Sequence, residues 1–301
     1  MTRSIDPRAL WRRIAAASVA TALLAMSPAA SAAAGRDFLW KVTGKQGVVY
    51  LAGSIHMMPE SFYPLKPAFE SAFKDADLLV EEIDLAEATS PLAGFTILSR
   101  SMLPAGQSLE NVLTPGTYAS VKRHLDDLGT PIESVRLLKP WMLAVTFETL
   151  EFQKAGYDPS FGLDQHFFER AQAEGKTVQG FETAEFQLSL FDGMSMPQQD
   201  AMLAETIKEL DTEVSSVSKI GSAWQNGDAA ALERIIMPDM QQDPAMYKKV
   251  LVDRNHNWMP KIDDLLARRG HAFIVVGAAH LLGADGLLAL LKAKGYLVEQ
   301  L

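Results

Sequence analysis

The chain of 301 residues contains no cysteine. That absence excludes a disulfide framework, thiolate zinc sites, iron–sulfur clusters, a catalytic cysteine and a lipidated cysteine anchor. Any metal must therefore rest on nitrogen and oxygen ligands. Basic residues are also in short supply, with 28 Lys and Arg against 37 Asp and Glu, a net charge of -9. Such a surface repels phosphate backbones and anionic lipids, so nucleic acid is not an expected partner. Several catalytic templates are missing as well: His-Glu-x-x-His, Gly-x-Ser-x-Gly, Gly-x-Gly-x-x-Gly and the phosphate-loop Gly-x4-Gly-Lys. Zincin, α/β-hydrolase and dinucleotide-binding readings lose their main support with them. What is present, 48% hydrophobic and 22% charged residues, is the composition of a folded globular protein.

The first 32 residues read as a secretory signal. Arg3, Arg8, Arg12 and Arg13 form a positive start, Ile14 to Met26 an uncharged apolar stretch, and Pro28 a helix breaker. Ala30-Ser31-Ala32 and Ala32-Ala33-Ala34 both satisfy the small-x-small cleavage rule. The apolar stretch is shorter than the roughly 20 residues that span hydrocarbon, which favours cleavage over a retained anchor. No later run approaches that length. The expected product is a domain of residues 33–301, periplasmic or secreted, with no stable membrane insertion after cleavage. Removing four arginines and Asp6 leaves 24 basic and 36 acidic residues, a net of -12.

Strand signals lie at the two ends of that domain and helical signals fill its middle. Phe38 to Val42 and Val48 to Ala52 are β-rich runs around Gly44-Lys45-Gln46-Gly47, a hairpin signature. A helical stretch follows Pro64, and Asp77 to Leu85 reads as a buried strand with acids at its end. Near the C-terminus a strand at Ala272 to Val276, a helix at Asp285 to Lys294 and a strand at Tyr296 to Val298 follow in order. Between about 99 and 267 the patterns are helical, with one short β candidate at Thr177 to Gln179. The expected fold is mixed α/β: a single central sheet formed by N- and C-terminal segments, with a large helical insertion between them. Functional groups are then expected at the carboxyl ends of its strands.

Two strands end in the same motif. Val48 to Ala52 runs into Gly53-Ser54-Ile55-His56, and Phe273 to Val276 runs into Gly277-Ala278-Ala279-His280. The glycine lets the backbone turn or approach a neighbour closely, and the histidine then projects over the strand end. With 20 glycines and 6 histidines in 301 residues, about 0.4 such spacings arise by chance. The alternative for both is a histidine hydrogen-bonded to turn backbone. The third element is Val80-Glu81-Glu82-Ile83-Asp84, where alternation puts Glu82 and Asp84 on one face and Glu81 on the other. Two imidazoles and a carboxylate form a common metal-ligand set that leaves room for water. A solvated strand exit is the alternative for the acids, and Asp84 ranks second to Glu82. Asp164 and His166, in Gly162-Leu163-Asp164-Gln165-His166, sit at an expected helix start. There a cap or an interhelix contact competes with a supporting role at the site. Met142, Phe147 and Phe152 read as helical core.

Taken together, these residues resemble the TraB, PrgY and GumN family, related to the Tiki metalloproteases and more distantly to the erythromycin esterase and ChaN-like proteins. The resemblance runs from about Phe38 to Leu297. It is carried by Phe38 to Val42, Tyr50 to His56, Leu79 to Leu85, Gly162-Leu163-Asp164, Gly180-Phe181-Glu182-Thr183 through Gln187, Asp253-Arg254-Asn255 and Val276 to Gly283. It implies a metal-dependent hydrolase, in the Tiki branch a metallopeptidase, with His56, Glu82 and His280 as metal ligands and a peptide or protein as substrate. The metal would be divalent: manganese, cobalt or zinc. Arg254 matches a basic position of the family and is expected to stabilise developing negative charge, with Glu82 as the catalytic carboxylate. Asp84, Asp164, Glu182 and His166 are expected around them. The ChaN-like relationship implies a different function, a non-catalytic periplasmic metal- or haem-binding protein. Tyr50 or Tyr63 would serve such a protein as an axial ligand, although a strand tyrosine is more often core.

Overall fold

The computed structural model describes residues 35–212 and 216–301. The expected signal segment lies outside the described residues. Among these no helix is long and apolar enough to cross a membrane.

Six strands form one mixed sheet: β1 (Leu39–Thr43), β2 (Gly47–Ser54), β3 (Leu78–Ile83), β4 (Thr177–Glu182), β5 (Gly270–Gly277) and β6 (Leu297–Gln300), in the order β4-β3-β5-β2-β1-β6. The first hairpin pairs Leu39 with Ala52 and Thr43 with Val48, as its Gly-rich turn dictates. β2, β5, β3 and β4 run parallel side by side, so their carboxyl ends share one edge. The central strand β5 is a continuous apolar run because both of its faces are covered. The edge strand β6 alternates between exposed and half-buried residues.

The helical middle is less uniform than its sequence implies. Helices begin at Leu85–Ala88 and Pro91–Ser101, ahead of the expected start, and the β candidate inside the middle extends to Glu182. Thr-Val-Gln-Gly-Phe-Glu has weak strand character by itself; it forms β4 through parallel pairing with β3. One buried cluster of residues, including Leu125, Leu143, Phe147, Leu203 and Ile207, gives the insertion a core of its own. The main core lies between the sheet and the helices covering it.

At its centre Phe73, Phe167 and Phe273 meet, with ring centroids 4.9, 5.5 and 4.5 Å apart. Phe273 is fully buried on β5 and ties one covering helix, Pro67–Asp75, to another, Leu163–Glu174. Phe273→Ala should therefore cost about 3 to 5 kcal/mol of stability, the range for removing a buried aromatic side chain. Urea unfolding checks this, and a loss below about 1 kcal/mol would mean that the cluster is not the structural centre.

Candidate functional site

Four parallel strand ends carry the polar residues of the site. In spatial order they are Glu182 on β4, Glu82 on β3, Gly277 closing β5 and Ser54 closing β2, with Ser54 in register with Gly277. His56 and His280 follow two of these ends. A fifth contribution comes from the helix Asp253–Ala267, whose buried Arg254, Asn255 and Trp258 lie at one-turn spacing on the face toward the strands. A π-helical turn, Lys248–Val252, leads into it.

Arg254 joins the cluster. Its guanidinium donates to Glu182 from Nε at 2.8 Å and from NH2, and to Glu82 Oε2 from NH2. NH1 donates to the Val250 carbonyl and meets His280 Nε2, both at 3.0 Å. Asp253, adjacent in sequence, pairs with Lys248 instead. Glu82 also accepts from the Gly277 backbone N–H at 2.7 Å through Oε1 and from Gln187 at 2.9 Å through Oε2. Burial opposes its ionisation, but the charges of His280, Arg254 and His56 and the Gly277 N–H hold its carboxyl down at about 2. Its neighbour Glu81 shows what happens without such partners. Buried on the opposite face, with neither oxygen hydrogen-bonded, it is pushed up to about 9 by desolvation and by Asp164 and Asp84.

His280 is buried against the Trp258 ring at 4.4 Å. Its Nδ1 lies 2.7 Å from Asn255 Oδ1. An amide oxygen only accepts, so Nδ1 carries the proton and Nε2 presents a lone pair. The Asn255 amide is oriented by the carbonyls of Asp285 at 2.8 Å and His280 at 3.3 Å. Burial, with Arg254 and His56 nearby, lowers the imidazole to about 4 despite Glu82, so it is neutral at pH 7.

His56 is the exposed member, with 65% of its side chain open to solvent. Its Nδ1 faces Asp164 Oδ1 at 3.2 Å, and Ser54 Oγ donates to that same oxygen at 2.6 Å. Asp164 raises the His56 pKa. The link depends on Gly162: a Cβ there would lie 2.3 Å from the His56 carbonyl oxygen, so only glycine lets the helix Leu163–Glu174 start this close. Asp164 thus reaches across to His56 and Ser54. Gly277 plays the corresponding part at the centre. A Cβ on it would stand 3.2 Å from Glu82 Oε1, 3.6 Å from the His280 ring and 3.8 Å from His56 Nε2, so the three candidate ligands surround a point that glycine leaves empty.

The remaining expected residues divide. Glu182 belongs to the cluster, and its Oε2 accepts from Trp258 Nε1 at 3.1 Å. Asp84 instead caps the helix Leu85–Ala88 by accepting from Ala86 N–H at 2.9 Å. His166 packs at a tilt against Tyr63 and edge-on against Phe167. Tyr50 donates to Asp75, and Tyr63 to the Phe161 carbonyl. Asn255 and Gln187 carry roles that sequence reasoning did not assign, although both lie in the blocks that resemble the family.

Over the cluster opens a cleft of about 430 Å³. Its floor is His56, Glu82, Arg254, Gly277 and His280, and its walls are mainly apolar, including Phe152, Ile220, Ile236, Met240 and Leu251. Of the middle residues read as core, Phe147 is buried in the insertion, whereas Phe152 lines this cleft.

An α/β sheet with a polar cluster at its parallel strand ends defines the class of the fold and site. The chain matches the TraB/PrgY/gumN family over residues 38–300 and belongs to that family. It is 25% identical to the uncharacterized protein YbaP of Escherichia coli over 81% of its own length and 87% of that protein's. It is 23% identical to the metalloprotease TIKI2 of Danio rerio over 87% of its own length and 60% of the relative's. A shorter match, 32% identical over 108 residues, links it to the metalloprotease TIKI1 of Homo sapiens, covering 35% of this chain and 19% of that one. No solved structure matches it.

The ionic cluster should be structural as well as functional. Arg254→Met leaves two buried carboxylates without their cation, and stability should fall by about 3 to 5 kcal/mol. Chemical denaturation of the variant tests this; an unchanged midpoint would show that the charges are compensated elsewhere.

Proposed function

We propose that this protein is an exported, divalent-metal-dependent hydrolase acting on peptide bonds, with His56, Glu82 and His280 holding the metal. The observation that carries the reading is the convergence of these three side chains around Gly277, with the His280 lone pair set by Asn255. The similarity to TIKI metalloproteases supports it, and the signal-like first 32 residues support export.

The donor set fits a divalent cation in kind: two imidazoles and a carboxylate, with a glycine leaving space between them. Among the described residues no three His, Asp or Glu side chains stand as a ready metal site. Arg254 NH1 is instead directed at the His280 lone pair. One lone pair serves one partner, so ligation by His280 requires the guanidinium to release it. Manganese, cobalt and zinc all suit the ligands.

A bound divalent cation would supply positive charge that polarises a carbonyl and acidifies water. The protein's own groups do the rest. Glu82 stays ionised, with Oε2 held by Arg254 and Gln187 while Oε1 lies 3.7 Å from His280 Nε2. Arg254, kept charged by Glu82 and Glu182, offers N–H donors where an oxyanion develops. Asp164 orients His56 through Nδ1, leaving Nε2 toward the cleft. The apolar walls seat a substrate side chain and exclude water around the charges.

Metal content and turnover test the proposal together. Protein stripped with a chelator and reloaded with manganese, cobalt or zinc should retain one ion per chain by mass spectrometry. His56→Ala and His280→Ala should each lose it. A peptide library should be cut only by the loaded form, and Glu82→Gln should lower kcat/KM by about 10²-fold or more. Failure to retain any of the three metals, or cleavage indifferent to chelator, would overturn the reading.

A further inference from the structure

The cleft over the cluster does not end at its own walls. A second cleft of about 820 Å³ adjoins it, and Val145, Glu148, Met240 and Val250 line both. The joined space is larger than one side chain or one small ligand requires and suits an extended chain, which advances about 3.3 Å per residue. The two parts differ in character. The first has a mainly apolar wall, whereas the second is lined by Glu148, Glu205, Glu209, Asp239 and Asp243, with Lys249 in the lining and Lys208 paired to Glu205. Lys249 is engaged with the Leu190 carbonyl at 2.7 Å.

Glu148 stands at the junction. It projects from the helix Pro140–Lys154 into the lining that both clefts share, and among the described residues its side chain makes no hydrogen bond or ion pair. Desolvation and the Glu209 carboxylate on the neighbouring helix Met196–Thr212 push its carboxyl up to about 7. Glu148 and Glu209 both line the second cleft, and no described cation pairs with Glu148. An ammonium or guanidinium arriving there favours the ionised form of Glu148, while an acidic side chain is repelled.

We propose that Glu148 selects a lysine or arginine in an extended peptide that runs through both clefts, with an apolar residue seated over the site and the basic residue beyond it. This rests on the peptidase reading for its substrate class, so the experiment reads binding rather than cleavage. The probes are fluorescein-labelled dodecapeptides of alanine and leucine carrying one lysine, one norleucine or one glutamate at each position in turn. Norleucine keeps the methylene chain and lacks the ammonium, so the ratio of lysine to norleucine binding isolates charge.

Anisotropy titration of the full chain should show one register at which lysine binds about five- to tenfold tighter than norleucine. Glu148→Gln should bring that ratio to about one, and Glu148→Lys should reverse the preference toward glutamate probes, a gain that misfolding cannot produce. No binding of any probe, a ratio of one at every register, or a ratio that survives Glu148→Gln would overturn the proposal. Selective binding without cleavage would count against the peptidase reading alone.

Discussion

The structure turns on one guanidinium between two buried carboxylates. Glu82 and Glu182 project from the ends of adjacent parallel strands, where each would be costly to ionise and the two would repel. Arg254 binds both. Because it comes from a different element, the bond also anchors the helix Asp253–Ala267 over the sheet edge. That placement brings Asn255 to His280 Nδ1 and Trp258 against its ring. The charge state of Glu82, the tautomer of His280 and the position of the helix are thus consequences of a single ionic contact.

Around this anchor the molecule separates a fixed floor from its walls. The sheet supplies a floor whose groups are fixed by backbone register and by hydrogen bonds from Gly277 and Gln187. The helical insertion supplies the walls and has its own buried core, so its clefts can differ in shape and charge without disturbing the floor. His56 lies between the two regimes. It is exposed, yet oriented by Asp164 from a helix that only Gly162 allows so close.

Much of the frame was legible because it is local. A hairpin turn, an uninterrupted apolar strand and a repeated Gly-x-x-His each follow from a few consecutive residues, and they place His56 and His280 at neighbouring strand ends. Glu82 was legible from alternation on β3, though the same rule paired it with Asp84, which leaves the strand to cap a helix. The partners of Arg254 were not legible. Glu82 is 172 residues away and Glu182 is 72, and nothing in the Asp253-Arg254-Asn255 block distinguishes them from the adjacent Asp253. Strand β4 was only half visible, since its polar sequence becomes a strand by pairing with β3. Phe152 looked like core because periodicity reports a buried face and cannot tell a core from a cleft wall. Glu148 gave no signal, as its meaning lies in where two clefts meet.

The central claim is that His56, Glu82 and His280 ligate one divalent cation once Arg254 releases His280. X-ray absorption of the cobalt-loaded protein tests it most directly. The account predicts two imidazole nitrogens and a carboxylate oxygen bound at about 2.0 to 2.2 Å, with one imidazole lost in His280→Ala. An oxygen-only coordination sphere, or one that His280→Ala leaves unaltered, would contradict it.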